Sequence, residues 1–509
     1  MLNRVLVCLA FSTCCFLNTW IELAEGQVPY FAKYDPLRVT IPVVLCWQAL
    51  IFAALFLGWG LLRRMPYLLL ALSVVPLGFT SLALLRVLPF DLVPLVRQPW
   101  FWPVALVLLT AAAVFILRRP QWVSRVYLYL CPVLALVVLR AVSAVALYGA
   151  AGLFADGPAA ARLTQPHKNI RVVWIIFDEL SQAIAFDRRP AGLALPNLDR
   201  LRAESLSATS AHAPAGATKE SLPSLTLGQE IRIAEPAGPH SLMLYKPGQT
   251  EGFEWNSVPN VFDRARELGF NTALTGWFHP YGRLLNRSLT ACYWTAGWLL
   301  SGTEEPTQEP SLPEAMLHRA RCQLAAFPLL GHLPGFFPRE YQRQETAARF
   351  QYLLRKSRDL AADSSIGLTL LHLPTPHPPA IYNRASGQFS NRGPNGYLDS
   401  VALADVTLGQ LRQSVTAAGL DSSTAIIVSA DHGWRMLWRG GPDWTAEEEA
   451  ASKDLDTSGV PFLVKLPGDS RSIVYDRPLN TVVTGELILA ILRGNITGNE
   501  QAAEWLRVR

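Results

Sequence analysis

Long apolar runs fill the N-terminal part of the chain. Five of them are long enough to cross the hydrocarbon core of a bilayer, which is about 30 Å thick. The predicted spans lie at about Leu2–Trp20, Val39–Leu62, Tyr67–Val87, Trp100–Leu117 and Val126–Gly149. This pattern predicts a helical membrane domain over residues 1–152. A cleaved signal peptide is an alternative for the first run, because Arg4 precedes a short apolar stretch there.

Further along the chain the apolar runs become short and are separated by polar segments. After a linker over residues 153–168, four continuous apolar runs have the composition of buried parallel strands. They are Val172–Phe177, Asn271–Trp277, Ile366–Leu373 and Thr424–Ser429. Amphipathic helices are predicted over about 261–268 and 398–415, each ending before a glycine. The alternation predicts an α/β domain over residues 169–509, with a mostly parallel central sheet covered by helices on both faces.

Charged loop residues orient the predicted spans. Arg4, the pair Arg63 and Arg64, and a cluster at Arg118, Arg119 and Arg125 alternate with acidic loops that carry Glu22, Glu25, Asp35 and Asp91. The positive-inside rule then predicts a multi-pass membrane protein with the α/β domain on the extracytoplasmic side. The net charge of +5 comes from scattered basic residues, which argues against nucleic acid as a partner.

Acidic residues and histidines follow each predicted strand of the α/β domain. Asp178 and Glu179 follow the first strand, His279 the second, His377 the third, and Asp431 with His432 the fourth. Ligands bind beyond the carboxyl ends of the strands in open sheets of this type, so these side chains are expected to form one site.

The polar residues at these strand ends suit a divalent cation. Asp178, Glu179, Asp431 and His432 supply hard oxygen atoms and an imidazole. This donor set predicts Zn²⁺ or Mn²⁺, with Mg²⁺ or Ca²⁺ as alternatives.

The segment Ser429-Ala-Asp-His-Gly433, together with a strand that ends in Asp-Glu, resembles the sulfatase-like branch of the alkaline phosphatase superfamily. The resemblance covers about Ile170 to Gly468. With the predicted membrane helices, the chain is most similar in plan to lipoteichoic acid synthases and phosphoethanolamine transferases. The resemblance implies a nucleophilic side chain that is bound directly to the metal ion.

The register of the sulfatase motif indicates which residue is the nucleophile. In sulfatases a Cys or Ser begins a Cys/Ser-x-Pro-x-Arg motif that ends ten residues later in Leu-Thr-Gly; here Gly228 lies ten residues after Thr218. Ser221 begins a near match, but Leu225 occupies the position of the required arginine. The resemblance therefore implies Thr218 as nucleophile and metal ligand. The alternative is that Thr218 only caps a helix that begins near Lys219.

Two further segments resemble substrate-binding parts of these enzymes. In the first, His279 is followed by Arg283, Asn286 and Arg287, and the resemblance implies that the histidine and an Asn-Arg pair hold the substrate phosphate or glycerol. The spacing is one residue short, so both arginines remain candidates. In the second, the resemblance implies that His377 contacts the phosphoryl group or protonates the leaving oxygen.

One departure from the family pattern bears on activity. Relatives commonly carry a histidine just before Val-Pro-Phe, and here Gly459 precedes Val460. The implied function is a transferase that moves a phosphoethanolamine or phosphoglycerol type of head group from a phospholipid to an envelope glycan or lipid through a phosphothreonine intermediate. The alternatives are a phosphodiesterase, phosphatase or sulfuric ester hydrolase with the same site, and an inactive membrane scaffold, which Gly459 favours.

Three residues carry secondary expectations. Cys292 and Cys322 are the two cysteines of the predicted extracytoplasmic domain, and we expect either a disulfide or two separate thiols. Arg140 lies inside the fifth predicted span, where it either holds a lipid phosphate or reaches the interface.

Overall fold

The computed structural model describes residues 1–24, 30–32, 36–87, 98, 101–164, 170–295, 311–325, 338–393, 395–436, 439–441 and 443–509. The chain forms two compact units. One comprises Met1–Pro29, Tyr34–Gly152 and Glu309–Gln323; the other comprises Tyr30–Lys33, Leu153–Gln308 and Leu324–Arg509. The acidic loop positions Glu25, Asp35 and Asp91 and the side chain of Cys322 lie outside the described residues, so the predicted disulfide stays a prediction.

The first unit is helical, and helices occupy all five predicted spans. They extend over Leu2–Cys14, Leu17–Ala24, Thr40–Leu57, Trp59–Arg64, Pro66–Val87, Phe101–Arg118, Trp122–Ala150 and Leu312–Ala325.

Fewer helices than the five predicted spans are both long enough and apolar enough to cross a membrane. Among the described residues, Thr40–Leu57 and Trp122–Ala150 are long and apolar enough to cross a membrane. The pair Leu2–Cys14 and Leu17–Ala24 makes a third span if it is counted as one, although it bends by 68°. The described residues therefore contain two to three helices that could cross a membrane, and the five predicted spans remain a prediction. Arg140 is exposed on the helix Trp122–Ala150.

An eight-stranded sheet forms the centre of the second unit. Its strands, numbered along the chain, are β1 (Arg171–Asp178), β2 (Leu206–Ala208), β3 (Thr272–Gly276), β4 (Ala291–Trp294), β5 (Leu368–Pro376), β6 (Thr424–Ala430), β7 (Phe462–Lys465) and β8 (Ile473–Tyr475). They lie in the order β8-β2-β7-β6-β1-β5-β3-β4. Only β7 runs antiparallel to its neighbours; the other pairs are parallel. The predicted mostly parallel sheet is confirmed.

The four strands predicted from apolar runs are β1, β3, β5 and β6, and they are adjacent in the sheet. Every residue of β1 and of β6 is buried, which explains why their sequences are continuously apolar rather than alternating. The other strands are three or four residues long, too short to carry a period of their own.

Helices cover both faces of the sheet. On one face, Val173 and Ile175 of β1 pack in one core with Val401 and Leu408 of the helix Tyr397–Ala417. On the other, the helix Thr484–Leu492 contacts β1. The helices of this unit are Pro196–Ala203, Thr218–Leu227, Val261–Glu267, Tyr281–Leu284, Pro338–Ala362, Tyr397–Ala417, Ala446–Ser452, Thr484–Leu492 and Asn499–Arg507. Both predicted amphipathic helices are present.

Smaller elements border this framework. They include the short strands Ala211–His212, Ile233–Pro236, Leu242–Tyr245, Phe253–Glu254, Tyr382–Asn383, Gln388–Phe389 and Leu479–Asn480. Because β6, β1, β5 and β3 are parallel neighbours, their carboxyl ends lie along one edge of the sheet. The candidate site is at that edge.

Candidate metal centre and active site

Adjacent strand ends bring three potential metal ligands together. Asp178 ends β1, and Asp431 and His432 follow β6; one ligand atom from each lies within 4.8 Å of the others. The hydroxyl Oγ1 of Thr218 lies 3.3 Å from Asp178 Oδ2 and 3.4 Å from His432 Nε2. All four side chains are buried. The structure thus places the predicted nucleophile beside three of the predicted ligands.

The polar atoms of this cluster are arranged as a divalent cation would need them. Nδ1 of His432 lies 3.0 Å from the carbonyl oxygen of Gly433, which can only accept, so Nδ1 carries the proton and Nε2 presents a lone pair. That lone pair lies 3.5 Å from Asp178 Oδ1 and 3.5 Å from Asp431 Oδ2. Both oxygens are buried, and neither has a hydrogen-bond partner among the residues that the structure describes. Acceptor atoms that face one another in this way fit a divalent metal ion.

Electrostatics point in the same direction. Burial, together with the neighbouring carboxylates of Asp431 and Glu179, raises the pKa of Asp178 well above its usual range. The cluster therefore resists full ionisation by itself, whereas a bound cation would stabilise both carboxylates in the ionised form.

Thr218 is the first residue of the helix Thr218–Leu227, and Ala217 holds the N-cap position without a side-chain cap. The alternative in which Thr218 serves as the cap therefore has no support, because its hydroxyl faces the cluster. Ser221 donates its hydroxyl to the carbonyl of Ala215 at 2.9 Å and is buried. Gly228 ends the helix in the left-handed region at φ 68°. The alignment of the sulfatase motif from Thr218 to Gly228 therefore coincides with the two ends of this helix.

Glu179 was predicted as a metal ligand, but its carboxylate lies outside the cluster. Its Oε1 accepts hydrogen bonds from the backbone N and the Nε of Arg435, at 3.2 and 3.0 Å. The backbone of Glu179 adopts φ 71°, a conformation unusual for a residue with a side chain, and so departs from the extended path of β1. Of the two carboxylates at this strand end, that of Asp178 belongs to the group with Asp431 and His432, and Glu179 as a ligand stays a prediction.

Arg435 is a functional candidate that the sequence analysis missed. It lies three residues after His432, and its side chain is 26% exposed. Against the lowering effect of burial, the carboxylates of Glu179, Asp178 and Asp431 raise its pKa. A guanidinium beside a metal cluster is suited to bind the oxygens of a phosphoryl or sulfuryl group. The sequence could have indicated Arg435, because it lies in the same loop as Asp431 and His432.

His279 lies directly behind the nucleophile and is fully buried. Its Nε2 lies 3.2 Å from the carbonyl oxygen of Thr218, and its Nδ1 lies 2.6 Å from the hydroxyl of Tyr30. Burial lowers the pKa of His279 to about 3, so the ring is neutral. Both ring nitrogens are therefore engaged within the protein. This geometry fits a residue that positions Thr218 better than the predicted direct contact with the substrate.

His372, which the sequence analysis assigned only to a strand, lies in β5 opposite Ile176 of β1. Its Nδ1 lies 2.9 Å from the hydroxyl of Tyr281, and its Nε2 lies 3.9 Å from Asp178 Oδ2. Burial lowers the pKa of His372 to about 4. A second buried tyrosine–histidine pair thus stands behind a proposed metal ligand.

His377 is half-buried at the end of β5. Its Nδ1 lies 2.7 Å from the carbonyl oxygen of Pro378, and its ring makes an edge contact with Trp277 at a centroid distance of 5.1 Å. Nδ1 must donate to this carbonyl, which leaves Nε2 as an acceptor. Burial lowers the pKa of His377, and the charges of Glu179 and Arg435 also act on it. The imidazole is therefore available as a base next to the cluster.

The remaining predicted residues lie elsewhere. Arg283 is buried, donates to the carbonyl of Tyr30, and places its guanidinium 5.2 Å from the ring centroid of Trp294. Asn286 donates to the carbonyl of Gly157, and Arg287 is exposed. The structure does not bring these three side chains into the cluster. A substrate contact from Arg287 stays a prediction.

Gly459, which stands where relatives commonly have a histidine, forms an isolated antiparallel bridge with His212. Residues that are directly opposite in such a bridge project their side chains to the same face. His212 therefore lies directly opposite Gly459, on another segment of the chain.

Comparison with known proteins identifies the family. The sulfatase family model matches residues 171–484, which is more than half of the chain. No curated protein sequence matches the chain.

Several solved structures resemble the chain at low identity. A phosphonate monoester hydrolase of Agrobacterium radiobacter is 16% identical over 64% of this chain and 74% of its own, with a TM-score of 0.40. A sulfatase from Pseudoalteromonas sp. is 16% identical over 67% and 72%, with a TM-score of 0.43. A protein in the alkaline phosphatase superfamily from Vibrio parahaemolyticus is 13% identical over 65% and 68%, with a TM-score of 0.39. On the match of the family model, this chain belongs to the sulfatase family.

Proposed function

We propose that this protein is a metal-dependent extracytoplasmic transferase that moves a phosphoethanolamine or phosphoglycerol type of head group from a phospholipid to a glycan or lipid acceptor. The observation that carries the proposal is the position of Thr218 Oγ1, 3.3 Å from Asp178 Oδ2 and 3.4 Å from His432 Nε2. Oxidation of a threonine gives a ketone, not the aldehyde of formylglycine. A threonine nucleophile therefore favours phosphoryl transfer over sulfate ester hydrolysis.

Asp178, Asp431, His432 and Thr218 would hold the divalent cation. When bound, it would lower the pKa of the Thr218 hydroxyl and offset charge on the phosphoryl oxygens. Thr218 Oγ1 forms a bond to phosphorus as the bond from phosphorus to the diacylglycerol oxygen breaks. That oxygen takes up the proton that Thr218 gives up and leaves as the hydroxyl of diacylglycerol, while the head group stays on Thr218 as a phosphodiester. An acceptor hydroxyl then attacks this phosphorus and releases Thr218.

The other side chains of the site have roles that follow from their contacts. His377, whose Nε2 is an acceptor, takes the proton of the acceptor hydroxyl. Arg435 binds phosphoryl oxygens from the Glu179 side of the cluster. The apolar helices Thr40–Leu57 and Trp122–Ala150 support a membrane lipid as donor.

The test is the mass of the protein after incubation with a phospholipid donor and no acceptor. Phosphatidylethanolamine and phosphatidylglycerol are presented separately, and the peptide containing Thr218 is expected to gain the mass of the transferred group. Thr218→Ala should abolish the adduct, whereas Ser221→Ala should retain it, because Ser221 is bonded to the carbonyl of Ala215. Release of free head group without transfer to any acceptor would show a hydrolase. An unmodified wild-type protein without turnover would support the inactive scaffold.

A further inference from the structure

A cavity of about 820 Å³, including its open mouth, lies beside the proposed reaction centre. Glu179, the residue after Asp178, lines one wall, and so do Pro376 and Pro378, which flank His377. The cavity is therefore continuous with two parts of the proposed active site. None of the four side chains proposed to hold the cation lines it.

An aromatic stack forms another wall of this cavity. Tyr397 and Trp434 are stacked with ring centroids 4.1 Å apart and planes within 5° of each other. Trp444 stacks on Trp434 at 5.2 Å and 26°. The indole Nε1 of Trp444 donates to Glu449 at 2.8 Å, which fixes the ring plane. Tyr397 and Trp434 are buried, whereas Trp444 is partly exposed. Trp434 is stacked between Tyr397 and Trp444, so the outer face of Trp444 is the flat aromatic surface left to bind the C–H face of a sugar ring.

The polar residues of the wall exclude two other classes of ligand. Arg343 pairs with Asp443 at 2.9 Å, and Glu179 pairs with Arg435 at 3.0 Å. The wall also carries Glu448, so three carboxyl groups face one guanidinium there, which disfavours a second anionic group. The side chain of Arg343 is 4% exposed, and its Nε has no hydrogen-bond partner among the described residues. A hydrocarbon chain in the cavity would leave this N–H unpaired, whereas a hydroxyl can accept from it.

We propose that this cavity binds an uncharged hexopyranose ring of a glycan substrate, next to the phosphoryl group that Thr218 receives. The proposal deepens the proposed function and rests on it for the position of the reacting group. It selects a glycan over a lipid as the acceptor. The outer face of Trp444 recognises the ring, and Arg343 and the neighbouring carboxylates recognise its hydroxyls.

The experiment measures binding of the full-length protein, in lipid nanodiscs, to an array of uncharged oligosaccharides of glucose, galactose, mannose and N-acetylhexosamines. Wild-type protein is expected to bind a subset of them. Trp444→Ala should weaken that binding at least about tenfold, and Trp444→Phe, which keeps a flat ring, should restore most of it. Trp505→Ala is the matched control, since Trp505 stacks on Arg509 elsewhere in the unit and should bind like wild type.

Thr218→Ala separates this inference from the proposed function. It removes the nucleophile and leaves the walls of the cavity intact, so it should bind the same oligosaccharides while forming no adduct. If Thr218→Ala remains active, the proposed function fails while the sugar site stands. If no uncharged oligosaccharide binds, or if Trp444→Ala binds as tightly as wild type, the sugar site is wrong. If dodecanoic acid displaces the bound oligosaccharide from the cavity at Trp444, the cavity is an acyl-chain site and the proposed sugar site is likewise wrong.

Discussion

The hydroxyl of Tyr281 lies 2.9 Å from Nδ1 of His372, and the opposite nitrogen of that imidazole lies 3.9 Å from Asp178 Oδ2. Burial raises the pKa of Tyr281 well above its usual range, so the phenol remains protonated and able to donate. A proton on His372 Nε2 is favoured because that nitrogen faces a carboxylate. The pair stands behind Asp178 at the distance of a charge contact, and we predict that it orients this proposed ligand in the way that outer partners orient metal ligands.

Tyr281→Phe is expected to weaken metal binding. The change removes one hydroxyl and leaves His372 without its partner, and loss of such an outer contact typically costs about 10- to 100-fold in metal affinity. Titration of metal-free protein with Zn²⁺ or Mn²⁺ measures the effect. Tyr475→Phe is the control, because it removes a buried hydroxyl bonded to the Leu506 carbonyl far along the sheet. Equal metal affinity in the two variants would show that Tyr281 does not act on Asp178.

The buried His279 predicts a stability difference at acid pH. Its pKa is about 3 in the folded protein, because of burial, against about 6.5 in an unfolded chain. Between these values the unfolded state binds a proton that the folded state does not, so stability is lost as the pH falls below about 6.5. His279→Gln can still bond to Tyr30 and to the Thr218 carbonyl but cannot take up the proton.

Chemical unfolding of both proteins between pH 8 and pH 4 tests this prediction. At pH 8 the variant is expected to be equal or less stable, and the difference should shrink or reverse as the pH falls. The limit is about 1.4 kcal/mol for each pKa unit of difference. Parallel curves for the two proteins would mean that His279 titrates normally and is not enclosed as the structure indicates.

Residues at strand ends could be predicted from the sequence, since the location of Asp178, Asp431 and His432 follows from local apolar runs and from the rule that parallel strands end together. The contacts of Tyr30 with His279 could not, because they join positions 249 residues apart and no local pattern marks them. The direction of the Glu179 side chain could not be predicted from the local sequence either, because it depends on the single backbone angle φ of 71° at that residue. Sequence reasoning therefore predicted the residues that the structure brings together at the strand ends and missed those that contact them from behind, such as Tyr30.

His212 is expected to contribute an imidazole that Gly459 cannot. The two residues are paired in an antiparallel bridge, and His212→Ala should lower turnover by about 10²-fold if that ring transfers a proton. A side chain can be added at Gly459, since the nearest atoms to its Cβ would be 3.5 Å away or more. The double variant His212→Ala, Gly459→His should then recover part of the activity. Wild-type turnover in His212→Ala would remove this role, and His240→Ala serves as the control.

The last prediction separates metal binding from substrate binding at the end of β1. Asp178 faces His432, whereas Glu179 accepts two hydrogen bonds from Arg435. Glu179→Gln should therefore leave the affinity for Zn²⁺ or Mn²⁺ near that of wild type, while the KM rises because a neutral partner holds the guanidinium less firmly. Arg435→Met should raise the KM further, and combining it with Glu179→Gln should add little, because both changes act through one contact.

Asp178→Asn provides the contrast, since it should reduce metal affinity by orders of magnitude. Metal titration and steady-state kinetics on the four variants give both quantities. Joint loss of metal affinity in Glu179→Gln and Asp178→Asn would make Glu179 a ligand after all, with both carboxylates of the strand end on the cation. Unchanged affinity with a raised KM would instead establish that consecutive carboxylates serve different partners, because the φ of 71° at Glu179 takes its side chain away from the cluster.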